Sequence, residues 1–440
     1  MLRKCVLGFC LSFIGISNFV TGNNVTLTSL NVFEGEIKNL KLNCSRSDEE
    51  IKTVNSEDIK IGGILINNES KPIDYGEFMC VNGSVVILVK GGHLGITHLH
   101  VDTKIGIHSN VIKSESVTIN VLRKITLFDE LAVFILGPLI LLNKCAFGAK
   151  IEVETLKKIV TQPVEICLCL VTQFVLLPLV AVGLGFAFKL EQTMALALLV
   201  SAACPGGGGG YVFSFLVDGD ITLAITESLV STLVAMLAMP SVLGLYTSLV
   251  TIPNHIVIPY IKILLMLVAI ATPISLGMLL RRKKPALAKK LVVIIRPMSL
   301  FLIFAGLVIV VVTSKYVLYG PRIGFLLALI IPVSGFLIAI GLAQLFSINW
   351  PLTKAIALEG GLKNTVLGVA VIELSFPQPQ ADLASILIIM VTVGQIVAAM
   401  CWYLFHVINQ RLQQKKFRTP AKDLHQDRQE TELFLLQNEE

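Results

Sequence analysis

A run of five glycines at positions 206–210 lies inside a segment that is otherwise apolar enough to cross a membrane. Glycine costs roughly 1 kcal/mol relative to alanine in a helix interior, so a helix is not expected to continue through this run. A phosphate-binding loop would carry Lys and then Ser or Thr after the last glycine, where Tyr211 and Val212 stand. A flexible linker would be polar, and Phe213 is not. The run therefore marks a break in a membrane-embedded backbone whose polar groups the rest of the fold must satisfy.

The composition places the chain among membrane proteins. Of its 440 residues, 54% are hydrophobic and 15% are charged, and the mean hydropathy is +0.78, too high for an ordinary soluble protein. The formal charge of +6 is carried by short basic runs between apolar segments, such as residues 281–284, which is typical of the cytoplasmic flanks of spans. We therefore expect a polytopic membrane protein in contact with lipid and with no nucleic-acid partner.

The first 22 residues have the pattern of a secretory signal peptide. Arg3 and Lys4 precede an apolar run over residues 5–20, and small or polar residues close it. A signal anchor is the alternative, and the shortness of the run argues against it. Cleavage would leave the mature N-terminus outside the cell or in a lumen.

Residues 23–124 form a polar segment with alternating strand patterns, as in NVTLTSL and SVTINVL, which predicts a small β-sandwich-like domain. Four N-glycosylation sequons favour an extracellular or lumenal position for this domain. They lie at Asn24, Asn43, Asn68 and Asn82. Cys44 and Cys80 are the two cysteines of the segment, and an oxidising compartment favours a disulfide between them.

Histidines in the same segment raise the question of a metal site. They are His93, His98, His100 and His108. His98 and His100 would share one face of a strand. Because no carboxylate-rich or cysteine partner set accompanies them, surface histidines are the favoured interpretation, and we expect no metal site.

From residue 125 to residue 408 the chain alternates apolar segments with short loops. About 20 apolar residues cross a bilayer as a helix, and nine crossings are predicted. They span residues 128–147, 163–188, 191–217, 220–248, 257–281, 290–314, 321–347, 352–376 and 382–408. An outside N-terminus and an odd number of crossings place the tail, residues 409–440, in the cytoplasm, where we expect it to be loosely ordered. Basic residues such as Lys144 and Lys150 fall on the predicted cytoplasmic side.

A second interruption lies in the second half of the membrane region. The sequence ALEGGLKNTVLGV, residues 357–369, again places glycines and polar groups in the middle of a predicted span. Interrupted hydrophobic segments at corresponding places in two halves point to the binding site of a transporter. We expect the two segments to cross near the midplane and to offer backbone oxygens and half-helix ends to a ligand.

Three motifs of this region resemble the bile acid:sodium symporter family. CPGGGGGYVFSFLVDGD over residues 204–220 is similar to its first helix crossover, LEGGLKN over residues 358–364 to its second, and VTQFVLLP over residues 171–178 to a further span. The resemblance covers roughly residues 128–408, and the long ectodomain is most similar to that of orphan members. It implies an all-α polytopic membrane domain with inverted repeats and two crossed broken helices, divided into panel and core domains. It also implies two sodium sites behind the crossover and an amphipathic organic anion between the domains.

The resemblance assigns candidate residues to the crossover and to the cation sites. The crossover residues are Pro205, Gly206, Gly207, Gly360, Gly361 and Asn364. The cation-site candidates are Gln173, Gly210, Tyr211, Ser228, Glu359 and Lys363. Gln173 and Glu359 match a glutamine and a glutamate of the family's second sodium site, and Ser228 stands where the first site has a threonine.

Three of these candidates depart from the family pattern. Gly210 and Tyr211 replace a Ser-Asn pair of the first site, which the reverse substitutions are expected to restore. Lys363 replaces a glutamine of the second. Glu359 and Lys363 are four residues apart, which predicts an ion pair if the segment is helical there. Because an unpaired mid-membrane charge costs roughly 3 kcal/mol or more, the favoured interpretation is that Lys363 stands permanently in place of one sodium ion. The alternatives are a lysine turned toward the cytoplasm with sodium still bound, and a non-transporting core.

Three further carboxylates lie in or near the predicted fourth span. Glu227 has no counterpart in the family, and it is either a proton or cation ligand or a partner for a polar group of another span. Asp218 and Asp220 are expected to cap the helix that begins near Ile221.

Two functions of different classes follow from these patterns. The first is secondary active transport of an amphipathic organic anion, with Na⁺ or H⁺ as a possible coupling ion and no other cofactor. The second is a non-transporting, receptor-like or scaffolding glycoprotein on a degenerate transporter fold. No nucleophile, base and orienting set is evident, so an enzyme is not expected. The plasma membrane is the expected location. The sequence does not indicate whether the protein is a monomer or an oligomer.

The predicted topology has a direct test. The four sequons should be accessible to glycosylation, and a tail epitope should be stained only after the cells are permeabilised. The measurement is electrophoretic mobility before and after glycosidase digestion, together with epitope staining. Unchanged mobility, or staining of the tail on intact cells, would overturn the topology.

Overall fold

A computed structural model of the chain describes residues 29–43, 50–65, 75–79, 84–105, 112–123, 127–151, 163–250, 260–313 and 322–437. Several predicted features lie outside these residues, namely the signal peptide, Cys44, Cys80, Asn24, Asn68 and Asn82. Asn43 is the last residue of a described strand.

The N-terminal region is built from strands, as its alternating sequence predicts. Within the described residues they are β1 Ser29–Phe33, β2 Ile37–Asn43, β3 Glu50–Ser56, β4 Gly62–Leu65, β5 Tyr75–Met79, β6 Ser84–Gly91, β7 Gly95–Ile105 and β8 Ile112–Leu122. One sheet has the order β1-β8-β7-β3-β5 and a second has the order β2-β6-β4. In β1, Leu30 and Val32 are buried between exposed neighbours, because successive side chains of a strand point to opposite faces. Ile64 of one sheet and Val121 of the other belong to the same buried apolar cluster.

His98 and His100 lie two residues apart on β7, and each has its own neighbour. His98 Nδ1 shares a hydrogen bond with Thr118 Oγ1 at 3.3 Å, and His100 Nε2 shares one with Glu57 Oε1 at 2.9 Å. The His100 hydrogen bond lowers the pKa of the exposed Glu57 carboxyl from its ordinary value. These imidazoles therefore take part in separate surface contacts.

The described part of the predicted membrane region is built from helices joined by short non-helical segments. They are α1 Leu127–Lys150, α2 Pro163–Ala187, α3 Gln192–Ala203, α4 Gly209–Leu216, α5 Ile221–Leu249, α6 Tyr260–Lys283, α7 Pro285–Thr313, α8 Arg322–Leu345, α9 Trp350–Gly361, α10 Thr365–Ser375 and α11 Gln380–Gln437. Five helices of the described part are long and apolar enough to cross a membrane. They are α2, α5, α6, α8 and the Gln380–Leu412 part of α11. The protein is therefore a multi-pass membrane protein.

Both predicted helix breaks are present. The first separates α3 from α4 at residues 204–208, and the second separates α9 from α10 at residues 362–364. Gly208 has φ of +80°, in the left-handed region that residues with a Cβ avoid, and it directly precedes α4. The glycine run therefore ends one half-helix and turns the chain into the next.

The prediction of a loosely ordered tail is wrong for the described residues, because α11 continues to Gln437. Residues 409–437 are rich in Gln, Lys, Arg, Glu and Leu, which are good helix formers, and they contain no glycine, although Pro420 is unfavourable in a helix interior. A helix can therefore continue from the last span.

The two aspartates between α4 and α5 have different roles. Asp220 Oδ1 accepts a hydrogen bond from the Leu223 amide at 2.8 Å, which confirms the predicted cap of α5. Asp218 is not a cap. Its Oδ2 shares a hydrogen bond with His406 Nε2 at 3.1 Å and accepts one from Gln410 Nε2 at 2.7 Å, so it joins the end of α4 to α11.

Close packing joins α1 to α6. A Cβ on Gly277 of α6 would overlap the carbonyl oxygen of Cys145, and one on Gly148 of α1 would overlap that of Ile274. Glycine at both positions therefore lets the two backbones approach closely, as small residues do between membrane helices. This pair of helices forms one wall of the central cavity described below.

Candidate functional site

The two helix interruptions cross and satisfy each other's backbone. The Gly207 amide donates to the Leu362 carbonyl at 3.0 Å, and the Asn364 amide donates to the Pro205 carbonyl at 2.8 Å. Gly206 and Lys363 form an isolated antiparallel bridge at the crossing point. A strand-like pairing only a few residues long thus replaces the helical hydrogen bonds that both breaks remove. This is the arrangement that irregular backbone needs inside a membrane.

Polar side chains of neighbouring helices complete the crossing. Gln395 of α11 accepts from the Lys363 amide at 3.0 Å and donates to the Lys363 carbonyl at 3.2 Å. The Gly206 amide donates to Ser231 Oγ at 3.3 Å, and Asn364 Oδ1 accepts from the Leu367 amide at the start of α10. The crossover is therefore held from α5, α10 and α11 as well as by its own backbone.

The carboxylate of Glu359 lies against two glycines of the opposite chain segment. A Cβ on Gly206 would overlap Glu359 Oε1, and a Cβ on Gly210 would overlap Glu359 Oε2 and lie 2.9 Å from its Cα. Glycine at these two positions is therefore what leaves room for the carboxylate. The glycine run has this role in addition to breaking the helix.

The expected restoration of a first sodium site by Gly210→Ser is contradicted by this packing. A serine at position 210 would collide with the side chain and backbone of Glu359. Tyr211 is also turned elsewhere, because its hydroxyl shares a hydrogen bond with Ser299 at 3.4 Å and its ring packs on Phe147 at 4.1 Å between centroids. Gly210 and Tyr211 are thus brought to the crossover, but neither offers a side-chain oxygen beside Glu359.

Gln173 and Glu359 meet on the inner side of the crossover. Gln173 lies on a π-helical turn of α2, Thr172–Leu176, and its Nε2 donates to the Glu359 carbonyl at 3.1 Å and to Cys169 Sγ at 3.1 Å. A π-turn shifts side chains relative to the rest of a helix and is frequent at functional sites. Gln173 Oε1 and both Glu359 carboxylate oxygens are buried and have no hydrogen-bond partner among the described residues. Unpaired oxygens of this kind are ligands that hard cations accept.

The predicted ion pair between Glu359 and Lys363 is not formed. The helix that carries Glu359 ends at Gly361, so Lys363 lies in the interruption and the spacing of four residues no longer places the two side chains together. Lys363 is 2% exposed, and its Nζ has no hydrogen-bond partner in the described part of the chain. Its ammonium still acts electrostatically on Glu359 and on the thiols of Cys169 and Cys204. It is therefore a buried cation within electrostatic range of the carboxylate, without direct contact.

Two further candidates border this cluster. Ser228 lies on α5, and its side chain is near the Glu359 carboxyl group. Glu227, the preceding residue, is buried, and neither carboxylate oxygen has a hydrogen-bond partner among the described residues. Its carboxyl group is near Cys169 of α2. The structure thus adds a second unpaired carboxylate to the polar interior but assigns it no partner.

A cavity of about 380 Å³ lies on the other side of the crossover. Its walls come from α1, α4, α6, α7, α10, α11 and both interruptions, and most of the lining is apolar. Gly208 and Asn364 of the two interruptions both line it. The volume falls within the range of small-molecule sites, which is about 300–1,000 Å³.

Lys144 lies at this site, although its sequence position predicts a different place for it. It was expected on the cytoplasmic flank of the first span, but it lines this cavity. Its Nζ lies 3.7 Å from the position that a Cβ on Gly208 would take. One signal could have identified it, since position 144 lies inside the predicted span 128–147, where a lysine is costly unless it has a function.

Sequence comparison shows that the chain is similar to one protein family and to several individual proteins. Residues 137–321 match the Sodium Bile acid symporter family. The chain is 38% identical over 249 residues to sodium/bile acid cotransporter 5 of Mus musculus, covering 56% of this chain and 57% of that protein. It is 31% identical over 318 residues to the P3 protein of Bos taurus, covering 69% and 67%. It is 28% identical over 275 residues to the ileal sodium/bile acid cotransporter of Homo sapiens, covering 62% and 78%. The match thus spans less than two thirds of the length of the mouse relative.

The glycine contact with Glu359 predicts that Gly210→Ala destabilises the protein. Overpacking of this kind costs about 1–3 kcal/mol, whereas alanine in place of a helical glycine otherwise gains roughly 1 kcal/mol. The matched control is Gly183→Ala in α2, where a Cβ would meet nothing within 4 Å. The measurement is the melting temperature of the purified variants in detergent. Gly210→Ala should melt below the natural protein and Gly183→Ala at or above it, and equal melting of the two variants would refute the contact.

Proposed function

This chain belongs to the sodium bile acid symporter family, and on that premise we propose that it is a secondary active transporter of an amphipathic organic anion of the bile salt or steroid sulfate class. The observation that carries the proposal is the mostly apolar cavity that lies directly against two crossed helix interruptions. Transporters bind substrate at such interruptions, because half-helix ends and freed backbone groups converge there. Members of a symporter family move solutes and are not enzymes, in agreement with the sequence.

Two groups of helices are suited to alternate access around the cavity. Helices α1, α6 and α7 contact one another and form one wall, and the crossover with α10 and α11 forms the other. We assign the first group to the panel domain and the crossover group to the core domain. Substrate bound between them would be exposed to opposite sides of the membrane as one group rocks against the other.

Cation coupling is proposed to act through Gln173 and Glu359. The unpaired oxygens of these two residues fit a hard cation, whereas Gly210 and Tyr211 offer no comparable ligands. Sodium, where it binds, supplies positive charge beside Glu359. The buried ammonium of Lys363 supplies charge in the same region, and a tethered charge that is present in both conformations draws no driving force from a sodium gradient. We therefore propose that transport depends only weakly on sodium.

The remaining features of the domain plan are proposals of the same kind. We propose a cleaved signal peptide, a glycosylated outer β-rich domain with a Cys44–Cys80 disulfide, a cytoplasmic tail and a plasma-membrane location. The non-transporting alternative is disfavoured, because a degenerate core has no need of a cavity of about 380 Å³ against an intact crossover.

Replacing Lys363 tests the coupling proposal. Lys363→Gln removes the tethered charge and adds a neutral ligand, so sodium dependence should appear or become steeper. The measurement is the initial uptake rate of a labelled panel of bile salts and steroid sulfates against sodium concentration, with choline as replacement and surface expression matched. The control is Lys289→Gln, which changes an exposed lysine of α7. Steep, cooperative sodium dependence of the natural protein would contradict the proposal, and absence of uptake of every panel member would contradict transport of this class.

A further inference from the structure

The charged groups that line the cavity are both lysines. Among the described lining residues these are Lys144 and Lys363, and no carboxylate accompanies them. The Nζ of Lys363 is buried away from the cavity surface. Lys144 is half-buried, and its Nζ lies 3.7 Å from the position that a Cβ on the lining residue Gly208 would take, so its ammonium is the cationic group that a molecule in the cavity can reach.

The ammonium of Lys144 has no local counterion. Within the part of the chain that the structure describes, no hydrogen bond or ion pair to its Nζ is found. Glu359 acts on it electrostatically, without an ion pair or a hydrogen bond. Gly206 and Gly210, which contact the Glu359 carboxylate, flank Gly208, which lies beside Lys144. An ionisable side chain at membrane depth without a partner is costly and marks a functional site by default.

The backbone beside Lys144 adds positive potential. Helix α4 begins at Gly209, and its N-cap residue Gly208 has no side chain with which to cap the first-turn amides. The amides at a helix N-terminus carry partial positive charge and favour a negative neighbour. Gly208 and Gly209 both line the cavity. A cationic side chain and an uncapped helix start thus face the same space.

The rest of the lining suits the body of an amphipathic molecule. Ile140 and Leu141 of α1, Ile270 of α6 and Leu302 of α7 are apolar members of the wall that carries Lys144. An anionic group placed at Lys144 would leave an apolar body in contact with these side chains. The cavity therefore has one cationic end and an apolar remainder.

We propose that Lys144 binds the anionic group of the transported molecule and sets the preference of the cavity for amphipathic anions over neutral or cationic amphiphiles. This inference rests on the proposed function, and it names the residue that recognises the substrate. A sulfate, sulfonate or carboxylate would accept hydrogen bonds from the ammonium, and charge-assisted contacts of this kind are shorter and stronger than neutral ones.

Paired steroid ligands provide the test. Binding of estrone sulfate and of estrone to the purified full-length chain is measured at equilibrium in lipid nanodiscs. The variants are Lys144→Met, which keeps a long unbranched side chain and removes its charge, and Lys144→Arg, which keeps the positive charge. The control is Lys290→Met, which removes an exposed lysine of α7.

The expected result is charge-specific. Lys144→Met should weaken binding of estrone sulfate by about tenfold to a hundredfold and binding of estrone by less than about twofold. Lys144→Arg and Lys290→Met should stay within a few-fold of the natural protein for both steroids. Equal weakening of both steroids by Lys144→Met, or unchanged binding of estrone sulfate, would overturn the inference.

A second measurement does not depend on the folding of any variant. The natural protein should bind estrone sulfate at least about tenfold more tightly than estrone, and equal affinities would overturn the inference. Transport is tested separately by uptake. Charge-selective binding without uptake would contradict the proposed function and support the role of Lys144, whereas uptake with charge-independent binding would contradict only the role of Lys144.

Discussion

The mutual pairing of two interrupted helices is the constraint on which the membrane domain depends. Each break leaves backbone N–H and C=O groups that lipid cannot satisfy. The two breaks satisfy these groups by hydrogen-bonding to each other, through the Gly206–Lys363 bridge and its flanking hydrogen bonds. Gln395 closes the arrangement by binding both backbone groups of Lys363. The crossing can form only where the two segments approach within hydrogen-bond distance, so the helices that carry them have little freedom in position.

The same close approach decides the chemistry beside the crossing. Because Glu359 fills the space above Gly206 and Gly210, side-chain oxygens are not available at position 210, and Gln173 binds the backbone carbonyl of Glu359 instead. Lys363 adds a buried ammonium within electrostatic range and Lys144 adds a second cation from the cavity side. Two lysines of this chain, one in the second interruption and one on α1, therefore contribute to balancing the charge of Glu359. The weak sodium dependence that we propose rests on this balance.

Much of this arrangement could be predicted from the sequence, because its main signals are local. The length of the apolar segments predicts the spans, the alternation of apolar and polar residues predicts the N-terminal β region, and the glycines at both interruptions predict the helix breaks. The features that failed depend on where a helix ends or on what packs against it. The expected Glu359–Lys363 ion pair required a helix that instead stops at Gly361, and Lys144 became a cavity residue only through the packing of α1 beside the crossover. Asp218 likewise found its partners in α11, about 190 residues away, which no local pattern indicates.

The most direct test of this charge balance is equilibrium binding of radiolabelled sodium to the purified natural protein and to Lys363→Gln, with excess unlabelled sodium as the competitor. If the ammonium of Lys363 takes the place of a sodium ion, the natural protein will show no saturable sodium binding at the crossover, and Lys363→Gln will show it. Saturable binding of sodium at the crossover of the natural protein would contradict the account.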